Sequence, residues 1–275
     1  MTKTPVLIML RFDPFVQGRE AYLSNERGAR RRQSKRNERS VHGTSGTHSE
    51  PPEHGIDQTQ PGRPVPKVLE NFVVLEGLDG AGTTTQLHLA DEALHARGIG
   101  HFCTGEPTDG VVGRILRQIL KQKIQVQPDT VALLFAADRT EHVHEKSGGI
   151  LSHLRRGELV ICDRYLFSSL AYQSLVCDPE FVFSLNRRFP LPQHLVFLDT
   201  PVTVSQQRLT TRAAGGRELY DGREIQQDIL RAYEAGFQRF SDTGMQLHRI
   251  DGNREPELVF EKFWSILSRL PIVKG

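Results

Sequence analysis

From residue 68 onward, short apolar runs alternate with stretches of helical period. The runs from Phe72 to Leu75, His101 to Thr104, Leu159 to Cys162, Leu195 to Leu198 and Leu247 to Ile250 read as buried strands. Strands that alternate with helices predict a parallel five-stranded sheet with helices on both faces, an α/β fold. The first helix is predicted from Thr84 to about Arg97, with Leu87, Ala90 and Leu94 on one face and Gly98 ending it. A second opens near Pro128-Asp129 and carries Leu133-Leu134-Phe135 and then Asp138-Arg139. No internal repeat interrupts this order.

The pattern fails at the start of the chain. From Gln17 to Pro66 the sequence is rich in Arg, Ser, Gly and Pro, as in Gly28-Ala29-Arg30-Arg31-Arg32-Gln33-Ser34-Lys35-Arg36. So few large apolar residues cannot offset the entropy of ordering, so residues 1–66 are expected to be a disordered basic tail and residues 67–275 the folded domain. Charge divides the same way. The 275 residues carry a net +2, but residues 1–66 hold 11 Lys+Arg against 7 Asp+Glu, leaving the remainder slightly acidic. The tail reads as a solvated segment or a start codon assigned too early, rather than as a nucleic-acid-binding arm. No Met lies between Met9 and Met245, so a shorter product would begin at a non-Met codon such as that of Val68.

Cys103, Cys162 and Cys177 are odd in number and lack CxxC spacing, which argues against a disulfide framework or a structural zinc site and for a reducing cytoplasm. The apolar run from Val6 to Leu10 is too short for a signal-peptide core, and no later run approaches membrane-spanning length. A soluble cytoplasmic protein is expected.

The chemistry centres on Gly77-Leu78-Asp79-Gly80-Ala81-Gly82-Thr83-Thr84, which lies between the first strand and the first helix. A strand, a tight glycine turn and a helix start form a phosphate-binding loop, whose backbone N–H groups and helix dipole cradle phosphate oxygens. Thr84 supplies the hydroxyl that faces Mg²⁺ in such loops. Thr83 stands where the full motif has the Lys that reaches the β/γ-phosphates. The third strand ends in Asp163-Arg164-Tyr165, so a carboxylate and a guanidinium are predicted at the carboxyl edge of the sheet, beside the loop. Asp163 suits Mg²⁺ and Arg164 a phosphate. Further on, Gly215-Gly216 is flanked by Arg208, Arg212, Arg217 and Arg223, and the segment near 208–223 reads as a basic lid. His142 and His144, two residues apart on a helix, face different sides and read as solvated.

Four ordered pieces resemble the thymidylate kinases: Gly77 to Gly82, Leu133 to Arg139, Asp163-Arg164-Tyr165 with Ser168-Ser169-Leu170-Ala171-Tyr172-Gln173, and Phe197-Leu198-Asp199-Thr200-Pro201. The resemblance spans residues 70 to about 267. It implies a P-loop nucleoside monophosphate kinase that uses ATP and Mg²⁺ to convert dTMP to dTDP, as a homodimer. By the same resemblance Phe135 stacks on thymine, and Arg139 contacts the base and the phosphate side of dTMP. Ser169, Tyr172 and Gln173 lie near the base and sugar, Tyr172 disfavouring a ribose 2′-hydroxyl, and Asp79 accepts from the 3′-hydroxyl.

Two departures stand out. Many members have Arg before Glu-Pro, whereas this chain reads Thr104-Gly105-Glu106-Pro107, so Arg114 or Arg117 becomes the candidate replacement. The second is Thr83. Loss of a donor aimed at transition-state charge costs about 10²–10³ in rate, and Arg212 and Arg217 of the lid are the candidate compensating cations. A regulatory homologue that binds nucleotides with little turnover is the rival reading.

Overall fold

The structure is a computed structural model that describes residues 66–212 and 223–274. Five strands, β1 (Val68–Gly77), β2 (His101–Gly105), β3 (Leu159–Asp163), β4 (Leu191–Asp199) and β5 (Gln246–Asp251), form one sheet in the order β2-β3-β1-β4-β5. Every pairing is parallel. The predicted strands are all present. β1 is longer than its apolar core because Val68 and Leu69 pair with Leu191 and Pro192 before the register shifts towards Val73. Asn71 absorbs that irregularity at φ 57°, its N–H donated to Gln193 Oε1 at 2.9 Å.

Alternation along the strands sends side chains to two separate cores. Phe72, Val74, Val160, Cys162, Leu195 and Phe197 pack on one face, and Val73, Leu75, Ile161, Val196 and Leu198 on the other. Each such burial contributes about 1.5–3 kcal/mol, and a sheet apolar on both faces must be covered on both. The second face is closed by α1 (Thr83–His95), through Ala90 and Leu94, and by a late helix, Pro256–Leu267, through Val259, Phe263 and Leu267.

The first face takes the remaining large helices. These are α2 (Val111–Leu120), α3 (Pro128–His144), α4 (Ile150–Arg155), α5 (Leu166–Tyr172) and α6 (Pro179–Asn186), then α7 (Val202–Arg212) and α8 (Arg223–Gln238). The late helix is α9, and α10 (Pro271–Lys274) follows it. α1 starts one residue before the prediction and unwinds after His95, with Gly98 at φ 66°. No helix among the described residues is long and apolar enough to cross a membrane.

Strand order places the chemistry. β1 lies between β3 and β4, and Leu75 pairs with Asp163, so the turn after β1 and the corner after β3 leave the same edge of the sheet side by side. Ligands of open α/β sheets bind at that edge.

Candidate active site

The turn after β1 is built for close approach. Gly80 has φ 83°, and a Cβ there would meet Ser205 O at 2.5 Å, so no other residue fits. Gly82 caps α1 in the left-handed region, with no side-chain cap and no acidic residue in the first turn. The orphan N–H groups and positive dipole end of α1 are therefore presented to an anion. Thr84 donates its hydroxyl to Asp163 Oδ2 at 2.6 Å, and the second oxygen, Oδ1, is buried without a hydrogen-bond partner among the described residues. A hydroxyl and a carboxylate with one unsatisfied oxygen, set beside a phosphate cradle, fit a hard divalent cation. Thr83 is buried at the start of α1.

The Asp163-Arg164 corner is held in an uncommon backbone state. Arg164 has φ 68°, a region that costs a non-glycine residue about 1–3 kcal/mol and persists where surroundings over-determine it. Its N–H bonds Leu75 O at 2.9 Å, and its guanidinium donates to Asp79 Oδ1 at 2.6 Å and Gly77 O at 3.1 Å. Behind it lies Glu76, fully buried. Glu76 accepts from the N–H groups of Tyr165 and Ser168, from Ser168 Oγ at 2.6 Å and from the Tyr233 hydroxyl at 2.9 Å. Burial pushes its carboxyl up to about 7, against the opposing pull of Arg164 and these hydrogen bonds. Glu76 thus ties the loop to α5 and α8.

Between that corner and α3 a pocket opens, lined by Asp79, Phe135, Arg139, Arg164, Tyr172 and Gln173, with Glu106, Leu120, Tyr165 and Ser168 completing the wall. Of the residues proposed to meet substrate, Ser169 alone stands behind the lining, within 3.1 Å of Arg139 Nη2. Gln173 Oε1 is buried without a partner among the described residues, so one amide acceptor is left for a bound molecule. Arg139 is 1% exposed and held from several sides: Nη2 and Nε lie 2.6 and 2.9 Å from Glu106 Oε2, Nη1 donates to Asn186, and the ring of Tyr165 lies 5.1 Å away. The guanidinium is thereby fixed in orientation at the pocket wall.

One sequence reading is corrected here. His142 is not solvated: it is buried, with Nδ1 3.0 Å from Glu106 Oε1 and Nε2 2.8 Å from Thr104 Oγ1. It shares the inward face of α3 with Asp138 and Arg139, whereas His144 is exposed. Asp138 accepts from both Thr108 N and Thr108 Oγ1, at 2.8 and 2.6 Å. Arg114 and Arg117 bond the Pro107 to Asp109 turn.

Gly215-Gly216 and Arg217 lie outside the described residues, as do the side chains of Arg212 and Arg223. Arg208 is described. Its Nη1 lies 3.2 Å from Ala81 O and its Nη2 3.1 Å from Gly252 O, so a guanidinium grips the outer rim of the phosphate loop. Sequence reasoning missed Glu76, Glu106, Asn186 and Tyr233. Glu76 left a signal as an acid directly after the apolar run of β1, and Glu106 as the acid of the Glu106-Pro107 pair.

A glycine cradle at the first turn of α1, with a carboxylate and a guanidinium on the adjoining strand end, defines a P-loop α/β protein of the nucleoside monophosphate kinase type. The family model for thymidylate kinase matches residues 75–263. A chain of Treponema pallidum (strain Nichols) that carries a thymidylate kinase name is 40% identical over 197 residues, 71% of this chain and 93% of that one. A Pyrococcus abyssi chain of the same designation is 44% identical over 156 residues, 54% of this chain and 74% of its own length. The protein belongs to the thymidylate kinase family. The solved thymidylate kinase of Candida albicans superposes with TM-score 0.61 at 18% identity, covering 74% of this chain and 94% of that one, a likeness of fold.

Proposed function

We propose that the protein catalyses ATP-dependent phosphorylation of dTMP to dTDP. The observation that supports this most is the Asp163-Arg164 corner, which sets a carboxylate against Thr84 and, on the next residue, a guanidinium against Asp79. In this reading the N–H groups of Gly80, Gly82, Thr83 and Thr84 hold the donor phosphates, that of Ala81 closing the turn onto Leu78 O at 2.9 Å, and Arg164 orients the phosphate of dTMP towards them. Phe135 offers a flat face to thymine, Gln173 reads its polar edge, and Asp79 and Tyr172 meet the sugar. Thr84 and Asp163 would hold Mg²⁺, which supplies charge neutralisation between the phosphates. Phosphoryl transfer needs alignment and charge stabilisation, with no covalent protein intermediate.

The lost charge at Thr83 falls to guanidinium groups: Arg208 on the loop rim, with Arg212 and Arg217 of the following segment. Residues 1–66 lie outside the catalytic unit in this reading. Three free thiols support the reducing cytoplasm as the compartment. The active form is a homodimer. Val111, Ile115, Ile124 and Leu133 are exposed apolar side chains on or beside α2 and α3, which pack together, and a second copy would cover them.

The test is steady-state turnover of a panel of nucleoside monophosphates with ATP. dTMP should exceed dCMP, dGMP and ribosyl TMP in kcat/KM, because a site with buried polar groups rejects analogues that leave them unpaired. Equal values for dTMP and dCMP would remove the base-reading argument. Tight binding of dTMP and ATP without transfer would leave a regulatory homologue.

A further inference from the structure

On the far face of the sheet, away from the nucleoside pocket, three side chains of different chemistry meet. His101 and Cys103 stand two apart on the edge strand β2, so they share a face. α1 packs on β2 and brings Asp91 to them. The carboxylate, imidazole and sulfur ligand atoms all lie within 4.8 Å of one another. Around a tetrahedral zinc ion with bonds of about 2.0–2.3 Å, donor atoms sit about 3.3–3.8 Å apart, a distance small rotamer changes reach from here.

The imidazole is already oriented for such a role. His101 Nδ1 lies 2.7 Å from Ile99 O, and a carbonyl can only accept, so Nδ1 carries the proton and Nε2 of the neutral ring carries a lone pair. That lone pair faces Asp91 Oδ1 at 3.0 Å. A proton on Nε2 would close this contact as an ordinary hydrogen bond, and a metal cation bound to both atoms would take that proton's place. A backbone carbonyl behind a metal-bound imidazole is also the usual arrangement that fixes its tautomer.

We propose that Asp91, His101 and Cys103 form a binding site for a zinc-class divalent cation. Mixed oxygen, nitrogen and sulfur donors select zinc or cobalt over magnesium, which prefers oxygen alone. The side chain of Asp91 is 52% exposed, so solvent supplies the remaining position. Coordination converts the Cys103 thiol to thiolate and releases its proton to solvent; burial and the Asp91 carboxylate otherwise hold that thiol at about 12. The site lies about 10 Å along α1 from Thr84, at 1.5 Å per residue. A bound ion would pin the helix whose first turn cradles phosphate to the outermost strand. The proposal stands on this cluster alone and does not depend on the kinase reading.

The experiment uses the full chain, stripped with chelator and supplied with excess Mg²⁺ to occupy the phosphate site, then titrated with Co²⁺. One equivalent should produce the near-ultraviolet thiolate-to-cobalt charge-transfer band, and Zn²⁺ should displace it and raise the Tm. Cys103→Ser should abolish the band. Asp91→Asn, a change at an exposed position, should weaken binding by about tenfold or more without altering the dTMP turnover of the chelator-stripped protein in Mg²⁺ alone. No band at equimolar Co²⁺, a band that survives Cys103→Ser, or an equal Zn²⁺ effect on Tm in wild type and Asp91→Asn would each overturn the proposal.

Discussion

Thr84 donates its hydroxyl to Asp163 across 2.6 Å, although 79 residues separate them in the chain. The bond joins the first turn of α1 to the end of β3 and leaves Asp163 Oδ1 without a partner among the described residues. Asp163→Asn keeps the hydrogen bond and removes the charge. kcat should fall by about 10²-fold or more while dTMP affinity changes little. Kinetics across a Mg²⁺ series decide it, and an unchanged kcat at every Mg²⁺ concentration removes Asp163 from the cation site.

Glu76 makes stability depend on pH. Its folded value of about 7 lies above the ordinary 4.5, so between those values the folded state binds the proton more tightly than the unfolded one. Unfolding free energy is therefore highest below pH 4.5, falls as pH rises towards 7 and levels off above it. The loss is on the order of 3 kcal/mol at most. Urea denaturation between pH 5 and 8 should show this slope in wild type and a flatter one in Glu76→Gln, whose amide can serve the same neighbours without titrating. Parallel profiles would count against Glu76 as the source.

Arg208 offers a charge near the loop that lacks its lysine. Arg208→Ala should lower kcat/KM for ATP by about tenfold or more, and Thr83→Lys should recover part of the loss, since two charges at one phosphate cluster are partly redundant. Arg212→Ala and Arg217→Ala belong in the same series. A chain in which none of the three substitutions alters turnover needs no compensating arginine.

The Arg139 and Glu106 side chains are 1% and 2% exposed and form one buried pair. Truncation of one partner leaves the other charge buried and uncompensated. Glu106→Ala should cost about 3–5 kcal/mol, read as a large fall in Tm, and release His142 as well. A cost below 1 kcal/mol would mean that water or Asn186 replaces the lost carboxylate.

A protein beginning at residue 67 should turn over dTMP as the full chain does. β1 starts at Val68, and Lys67 O already accepts from Leu191 N at 2.8 Å, so sheet pairing begins there. Most of the activity lost on truncation, at equal folded concentration, would assign the first segment a part in catalysis.

The sequence by itself determined the sheet, the phosphate loop and the corner after β3. These are local: an apolar run, a glycine triplet and a strand end each carry their cause within a few residues, and short strands alternating with helices leave one layered arrangement. His142 shows the limit. Its two-residue offset from His144 correctly put the pair on different sides of α3, but which side met Glu106 depended on how α3 packs. Glu76 is similar. Its burial becomes tolerable only because Tyr165, Ser168 and Tyr233 supply donors from α8 and from the turn into α5, up to 157 residues away. Asp91, His101 and Cys103 lack any spacing motif and meet only where a helix lies on an edge strand. Such groups are brought together by burial of apolar faces elsewhere, and no local pattern in the chain records that.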